Sequence, residues 1–418
     1  MAQTVKAIAV KGSSVPMVYE GGDFVPIVTV QLVFSHAGHL SNTQDGLADL
    51  SAKLLNEGTR KEGSVGFATK LDDHAIELHA GVGRETLTIE LSALKSELPY
   101  GLEMLNALLQ DPNYTPEALA QIKRQKIGWL QQKRADFDFV AATKLRELLF
   151  EGSALARPYH GTLESVDAIT LEDIKQFIST HLGYNNLTAV VGGDITVADA
   201  EQIVKAIAKQ LPKVKEEPLP TIGVSSKKLS VYTPEDTQQA YIYFASPFAY
   251  GYDQKDQYKA KIAEYLLGGA GFGSRLMEEL RVKRGLTYGA YAHLIRSKSV
   301  SYLSGYLQTK IESQEEAKRL IEEIVEVFVT KGITQKELED TKQFLLGSEP
   351  LRTETLSQRL HRAYNAYYYG RALDFDKAQL KKIEQVTLQE MNHFILSHPE
   401  LANLSFSIVT TQDAIPKR

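Results

Sequence analysis

The feature that most constrains the fold is an internal repeat with a period of about 218 residues. Residues 168–181 and 385–398 have similar sequences, and each places a threonine, Thr170 or Thr387, ahead of an amphipathic stretch. Threonine is a favoured N-cap residue, so each segment predicts a helix that begins at the following residue.

Two further pairs of matching segments follow the same order along the chain. Residues 115–123 resemble 334–342, and a strand that leads into a helix occurs near the start of each half, at 28–34 and at 240–244. Three matches in one order predict a duplicated domain, which a single match would not.

The junction between the two copies is predicted at residues 213–227, a polar segment that carries two prolines. We therefore expect a first domain at 1–212 and a second at 228–418. A hairpin of 286–296 with 300–309 indicates antiparallel pairing. The predicted fold class is α+β, with an antiparallel-rich sheet in each domain and helices packed on one face of it.

The composition is that of a globular protein and argues against several functions. The chain has 418 residues, 43% of them hydrophobic, and a formal net charge of -5. Such a length suits two cores, and the absence of a long basic stretch argues against a nucleic-acid surface. The chain has no cysteine, so it can form neither disulfides nor thiolate metal sites.

The sequence also lacks the marks of a membrane segment. No apolar run approaches the roughly 20 residues that cross a bilayer. Residues 1–6 contain no apolar stretch like that of a secretory signal. We expect a soluble protein, cytoplasmic or, if a signal has been removed, periplasmic.

Residues 46–59 carry the first of two motifs on which a family resemblance depends. Their sequence is similar to the zinc-binding helix of the insulinase/pitrilysin peptidases (family M16), which reads G-x-x-H-x-x-E-H and ends in a Gly-Thr turn. In such a helix the two histidines bind one zinc ion and the glutamate acts as general base. The resemblance implies the LuxS/mitochondrial-processing-peptidase-like metallohydrolase fold.

This chain departs from the zinc pattern at each catalytic position. Asp49 replaces the first histidine, Ala52 replaces the base and Lys53 replaces the second histidine. Alanine cannot accept a proton from water, and a cationic lysine repels zinc. Asp49 and Lys53 are opposite charges four residues apart, so we expect them to pair along the helix and close the former metal site, contributing about 0.3 kcal/mol. The alternative is an ordinary exposed pair.

The third zinc ligand of the family is a glutamate further along the same domain. No carboxylate occurs between Glu117 and Asp136, and Gln131 or Gln132 stands near the corresponding position. A neutral amide is a poor zinc ligand, so we predict no metal and no cofactor in this chain.

Residues 268–288 carry the second motif, a small-residue turn, then Ser-Arg-Leu, a short helix, and an arginine and a tyrosine seven residues apart. Here the pair is Arg281 and Tyr288. The resemblance implies that, in split enzymes, one subunit binds zinc while the other supplies this pair. Arg281 would hold substrate carbonyls and Tyr288 would donate to the developing oxyanion. The turn residues expected to contact substrate are Gly269, Gly271, Phe272 and Gly273.

The segment around this pair predicts a helix that ends near residue 283, a turn, and a strand from Leu286. On such a strand Tyr288, Ala290 and Ala292 share one face. The glycine run at 268–273 follows a helix, which argues against a dinucleotide-binding loop.

Two functions of different classes follow. In the first, the chain is inactive alone and is the substrate-binding subunit of a heterodimeric zinc endopeptidase, whose homologous partner carries the intact H-x-x-E-H helix and the zinc ion. In the second, it is a structural or peptide-binding scaffold with no proteolytic role. Arg281 and Tyr288 favour the first, and the missing ligands disfavour a self-sufficient zinc enzyme.

Overall fold

The computed structural model describes residues 3–22 and 25–417. Met1 and Ala2, which begin the N-terminal segment considered above, lie outside these ranges. The strands are β1 (Thr4–Val10), β2 (Ser13–Gly21), β3 (Ile27–Ser35), β4 (Glu77–Val82), β5 (Thr86–Leu94), β6 (Leu187–Gly193), β7 (Ser230–Pro234), β8 (Gln239–Pro247), β9 (Ala290–Arg296), β10 (Ser301–Lys310) and β11 (Ser405–Thr410).

Most of the α-helices lie in the longer segments between the strands. They are α1 (Leu47–Leu55), α2 (Gly63–Asp73), α3 (Leu98–Gln110), α4 (Pro116–Lys133), α5 (Phe137–Leu149), α6 (Leu163–Ala168), α7 (Leu171–His181), α8 (Val197–Gln210), α9 (Gln257–Glu264), α10 (Arg275–Met277), α11 (Gln314–Lys331), α12 (Gln335–Gly347), α13 (Leu356–Tyr368), α14 (Phe375–Gln385) and α15 (Leu388–Leu396). No helix within 3–22 and 25–417 combines the length and apolarity that a membrane crossing requires.

Each copy of the repeat forms its own sheet. The first sheet has the order β1-β2-β6-β3-β5-β4, and the second has the order β7-β11-β8-β10-β9. Neighbouring strands are antiparallel except for the pairs β2/β6 and β7/β11, which are parallel. The predicted α+β class with two antiparallel-rich sheets is confirmed.

The repeated helices begin where the sequence predicts. The Thr170 hydroxyl accepts a hydrogen bond from the Asp173 backbone N–H at 3.2 Å, and the Asp173 carboxylate accepts the Thr170 N–H in return. Thr387 and Glu390 form the same reciprocal pair at the start of α15. These capping boxes satisfy backbone donors that the first helical turn would otherwise leave free.

The described chain divides into two compact units that are discontinuous in sequence. The first unit takes the residues up to Gln131 together with Pro158–Leu219 and Arg352–Leu373. The second takes Gln132–Arg157, Pro220–Leu351 and the residues from Asp374. This division differs from the predicted halves, 1–212 and 228–418, because α5 belongs with the second sheet and α13 with the first.

In addition to the helices on the core face, one helix lies against the second face of each sheet. One face of the first sheet packs on the main core, while Val18, Val33 and Val190 of the other face pack against Leu360 and Ala363 of α13. In the second unit, α5 lies against β8 and β11. Each sheet is covered on its second face by a helix that comes from the other half of the sequence.

Candidate functional site

The helix that matches the zinc motif is α1, and a close backbone approach fixes its start. Gly46 precedes the helix with φ +90°, and a Cβ at this position would lie 3.0 Å from the backbone of Gly161. The Ser165 hydroxyl also donates to the Asp45 carbonyl at 2.9 Å. These contacts bring the segment around residue 160 beside the first turn of α1, where Asp49 lies.

Asp49 forms its ion pair with a residue of α4 and not with Lys53. The Lys126 Nζ lies 2.8 Å from Asp49 Oδ2, and the two side chains are 2% and 13% exposed. Lys53 is exposed and has no ion pair among the residues that the structure describes. The predicted Asp49–Lys53 pair is therefore wrong: the turn of α1 points Asp49 inward and Lys53 outward.

His160, which is partly exposed, completes a polar triad with Asp49 and Lys126. Its Nδ1 atom lies 3.5 Å from Asp49 Oδ1 and 3.3 Å from Lys126 Nζ. That nitrogen donates to Asp49 when protonated and accepts from Lys126 when not. The Trp129 indole packs edge-on to His160 with ring centroids 4.8 Å apart, and Lys126 Nζ lies 4.2 Å from the Trp129 centroid.

The charges of this triad favour the ionised pair. Burial alone would raise the pKa of Asp49, but the contact with His160 and the positive charge of Lys126 outweigh it and lower that pKa to about 2. Burial lowers the pKa of Lys126, and the Asp49 carboxylate opposes this effect. Each partner therefore depends on the other to remain charged in a largely dry position.

The residues at this position do not suit a zinc ion. The carboxylate that faces the former metal position is already neutralised by a buried ammonium, which would repel a dication. Ala52 is buried and supplies no ligand or base. Within residues 3–22 and 25–417, no cluster of three or more His, Asp or Glu side chains could hold a metal.

Sequence reasoning missed the residues that fill this position. It placed Gln131 or Gln132 opposite the zinc helix, whereas the α4 residue in contact with Asp49 is Lys126. His160 and Trp129 also went unnoticed. The only available signal was a lysine on the apolar face of α4, and nothing local marks such a lysine as buried.

The second motif lies on a helix that is interrupted by a loop. A π-helix at Tyr265–Gly269 follows α9, and a second one at Glu278–Val282 follows α10. Between them, Gly271 and Gly273 adopt φ +58° and +103°, values that favour glycine. The predicted helix end near 283 and the following turn are present, with Gly285 at φ +63°.

Arg281 and Phe272 come together at this loop. The Arg281 guanidinium lies 4.5 Å from the Phe272 ring centroid, and Phe272 is 66% exposed. No carboxylate in the described part of the chain forms an ion pair with Arg281, whereas Arg284, three residues on, is bound to Glu279. Arg281 is thus held by a stacking contact and keeps its hydrogen-bond donors available.

Tyr288 lies in the loop before β9, so the prediction of a strand from Leu286 is wrong. The strand begins at Ala290, because the Thr287 hydroxyl bonds the backbone of Gly289 in both directions and ends the regular pairing. Tyr288 is 88% exposed, whereas Ala290 and Ala292 are fully buried in the core. The two alanines therefore do not share a face with Tyr288, whose ring lies open to solvent.

Comparisons with known proteins show what this arrangement is similar to. The family described as "Insulinase (Peptidase family M16)" matches residues 17–163, and "Peptidase M16 inactive domain" matches residues 168–345. The chain belongs to peptidase family M16. It is 41% identical to the "Non-peptidase homolog YmxG" of Helicobacter pylori, over 96% of this chain and 93% of that protein.

More distant members of the family include proteins described as proteases. The chain is 22% identical to "Uncharacterized zinc protease SCO5738" of Streptomyces coelicolor, over 85% of this chain and 79% of that protein. The crystal structure of a peptidase M16 inactive domain from Pseudomonas fluorescens has the same fold, with a TM-score of 0.90 at 20% identity, over 100% of this chain and 99% of that one. The matches support a non-catalytic member of the family.

Proposed function

We propose that this chain is the non-catalytic, substrate-binding subunit of a heterodimeric M16 zinc peptidase that cleaves peptides or unfolded polypeptides. The observation that carries the proposal is the contrast between the two motifs. The zinc helix is neutralised by the buried Asp49–Lys126 pair, while Tyr288 is exposed and Arg281 stacks on the exposed Phe272 ring. The partner is a homologous chain with an intact H-x-x-E-H helix, which supplies the zinc ion, and this chain is inactive alone.

Arg281 and Tyr288 act on the peptide that the partner cleaves. The free donors of the Arg281 guanidinium bind substrate carbonyl oxygens, and the Tyr288 hydroxyl donates to the oxyanion that forms when zinc-bound water attacks. Phe272, stacked on Arg281, holds the guanidinium in place. Gly269, Gly271 and Gly273 let the backbone of the loop approach the peptide closely.

The test is to mix the two chains and to measure cleavage of an internally quenched peptide. We expect the mixture to be faster than the partner alone, and Tyr288→Phe to lower kcat by about 10²-fold, as losing one oxyanion donor does. Tyr232→Phe is the matched control, because it removes a hydroxyl that binds Glu315 in the same unit. Equal rates for the mixture and the partner alone would refute the proposal.

Arg281 has a matched control three residues away. Arg281→Ala should raise KM or lower kcat of the mixture, whereas Arg284→Ala, which removes an arginine already bound to Glu279, should leave both unchanged. Equal effects of the two substitutions would remove the role assigned to Arg281.

The alternative, a structural or peptide-binding scaffold without a proteolytic role, predicts a different outcome. Purification of the tagged chain from its native cells would then recover a homodimer or an unrelated assembly. Recovery of a zinc-bearing homologue supports the peptidase subunit.

A further inference from the structure

The strand β4 forms one edge of the first sheet, because it pairs only with β5. An edge strand presents unpaired N–H and C=O groups to which another extended chain can add. Whether β4 can accept such a chain depends on what its outward backbone groups already bind.

The Asn56 side chain binds both backbone groups of Ala80, at the middle of β4. Its Nδ2 donates to the Ala80 carbonyl at 2.9 Å, and the Ala80 N–H donates to its Oδ1 at 2.7 Å. These groups therefore point away from β5. A primary amide offers the same donor and acceptor as a peptide group, so Asn56 fills the place of one residue of an added strand.

The helix α1 fixes Asn56 in this position. Asn56 is the C-cap residue of α1, with helical angles of φ -75° and ψ -7°, and its backbone N–H bonds to the last turn of the helix. The residues that precede it on α1, Leu54 and Leu55, are buried in the core. The carboxamide is thus anchored to the same helix that carries Asp49.

A second contact covers the far end of the edge. The backbone N–H of His39 donates to the Gly83 carbonyl at 2.9 Å, and that of Leu40 donates to the Arg84 carbonyl at 3.0 Å. These residues directly follow β4, which ends at Val82. An incoming strand would meet a bound carboxamide at Ala80 and a bound loop three residues later.

We infer that Asn56 closes the β4 edge of this chain to strand addition by an extended polypeptide. The inference concerns this chain alone and holds whether or not the proposed partner exists. It also sharpens the proposed function, because main-chain capture of a peptide strand would then take place elsewhere than on β4.

The experiment uses the full-length chain and a dye-labelled decapeptide of alternating valine and threonine with lysine at both ends. Hydrogen exchange of the backbone at residues 77–82 is measured with and without the peptide. In the unaltered protein we expect the Ala80 N–H to be protected and the peptide to change nothing. In Asn56→Ala we expect about ten-fold tighter binding of the peptide and slowed exchange at 77–82 when it is bound.

Asn392→Ala is the matched control. Asn392 makes the same two bonds to a single backbone residue, Ile333, at 2.7 Å and 3.1 Å, but Ile333 is not on a strand. Its substitution should leave peptide binding unchanged. Asn56→Asp keeps the acceptor for Ala80 N–H but loses the donor, and it should bind the peptide with intermediate affinity.

Two results would overturn the inference. One is peptide-induced protection of 77–82 in the unaltered protein, which needs no variant to observe. The other is an Asn56→Ala protein that binds the peptide no more tightly than Asn392→Ala does.

Discussion

Replacing Asp49 by asparagine removes the counter-charge of Lys126, whose side chain is 2% exposed. Removing one partner of a buried ion pair costs about 3–5 kcal/mol, because the other charge stays buried without compensation. A second estimate comes from the pKa of Asp49, which falls from 3.8 to about 2 on folding. That fall corresponds to about 2 kcal/mol. This figure is the smaller of the two, because it includes the stabilisation of the Asp49 carboxylate but not the cost of leaving the Lys126 ammonium buried and unpaired.

The assay is thermal unfolding. The quantity compared between variants is the midpoint temperature of the transition in which this unit unfolds. A loss of 3–5 kcal/mol lowers the midpoint on the order of 10 °C for a unit of this size. Lys126→Met should cost less, because Asp49 keeps its contact with His160 and is more exposed. The double variant should recover most of the stability, because an apolar replacement of a buried pair is often neutral.

The pH dependence gives the sign of the effect. Because folding lowers the pKa of Asp49, its contribution is present above pH 3.8 and is lost as the pH falls through about 2. In Asp49→Asn, Lys126 is a buried cation without its counter-charge, and folding disfavours its charged form. The loss of stability relative to the unaltered protein should therefore shrink as the pH rises and the lysine loses its proton. Asp340→Asn, which breaks an exposed pair with Lys336, should change stability far less than Asp49→Asn does. If Asp49→Asn lowers the thermal midpoint no more than Asp340→Asn does, the buried pair does not hold the site closed.

Three further outcomes are expected. A triple variant that restores H-x-x-E-H at residues 49–53 should not bind zinc tightly in isothermal titration calorimetry. Adding Lys126→Glu to it should raise the affinity for zinc at least about ten-fold. Tight zinc binding by the triple variant would contradict the reasoning. Arg359→Met should lower the thermal midpoint by the equivalent of about 3 kcal/mol, because it removes the counter-charge of Glu20, a buried carboxylate 2.6 Å from Arg359 Nε, and leaves it the hydrogen bond from Gln3. Thr387→Ala should cost about 1 kcal/mol by removing the cap of α15, and Thr387→Ser should cost little, as measured by urea unfolding.

The parts of the fold that the sequence predicts are those that local chemistry decides. Thr170 and Thr387 mark helix starts because each threonine hydroxyl accepts a hydrogen bond from a backbone N–H in the first turn of its helix. The missing zinc ligands are equally local, since a histidine is present or absent at a given position. These signals suffice for the repeat, the fold class and the altered zinc helix.

What the sequence does not predict depends on contacts between distant segments. Lys126 meets Asp49 across a separation that no periodicity encodes, and a lysine is normally placed on the surface. Tyr288 has the alternation of a strand residue, but the side chain of Thr287 competes for the backbone and ends the pairing there. The same limit applies to α5 and α13, whose apolar faces do not reveal which sheet they cover.

The placement of α13 has a consequence for synthesis. A nascent chain emerges from the ribosome with its amino end first, so the first sheet is complete long before residues 352–373 are made. Until then Val18, Val33 and Val190 face solvent without Leu360 and Ala363. The second face of the first sheet is thus covered only by a segment that is synthesised late. A chain halted in mid-translation would leave that valine surface open to chaperones.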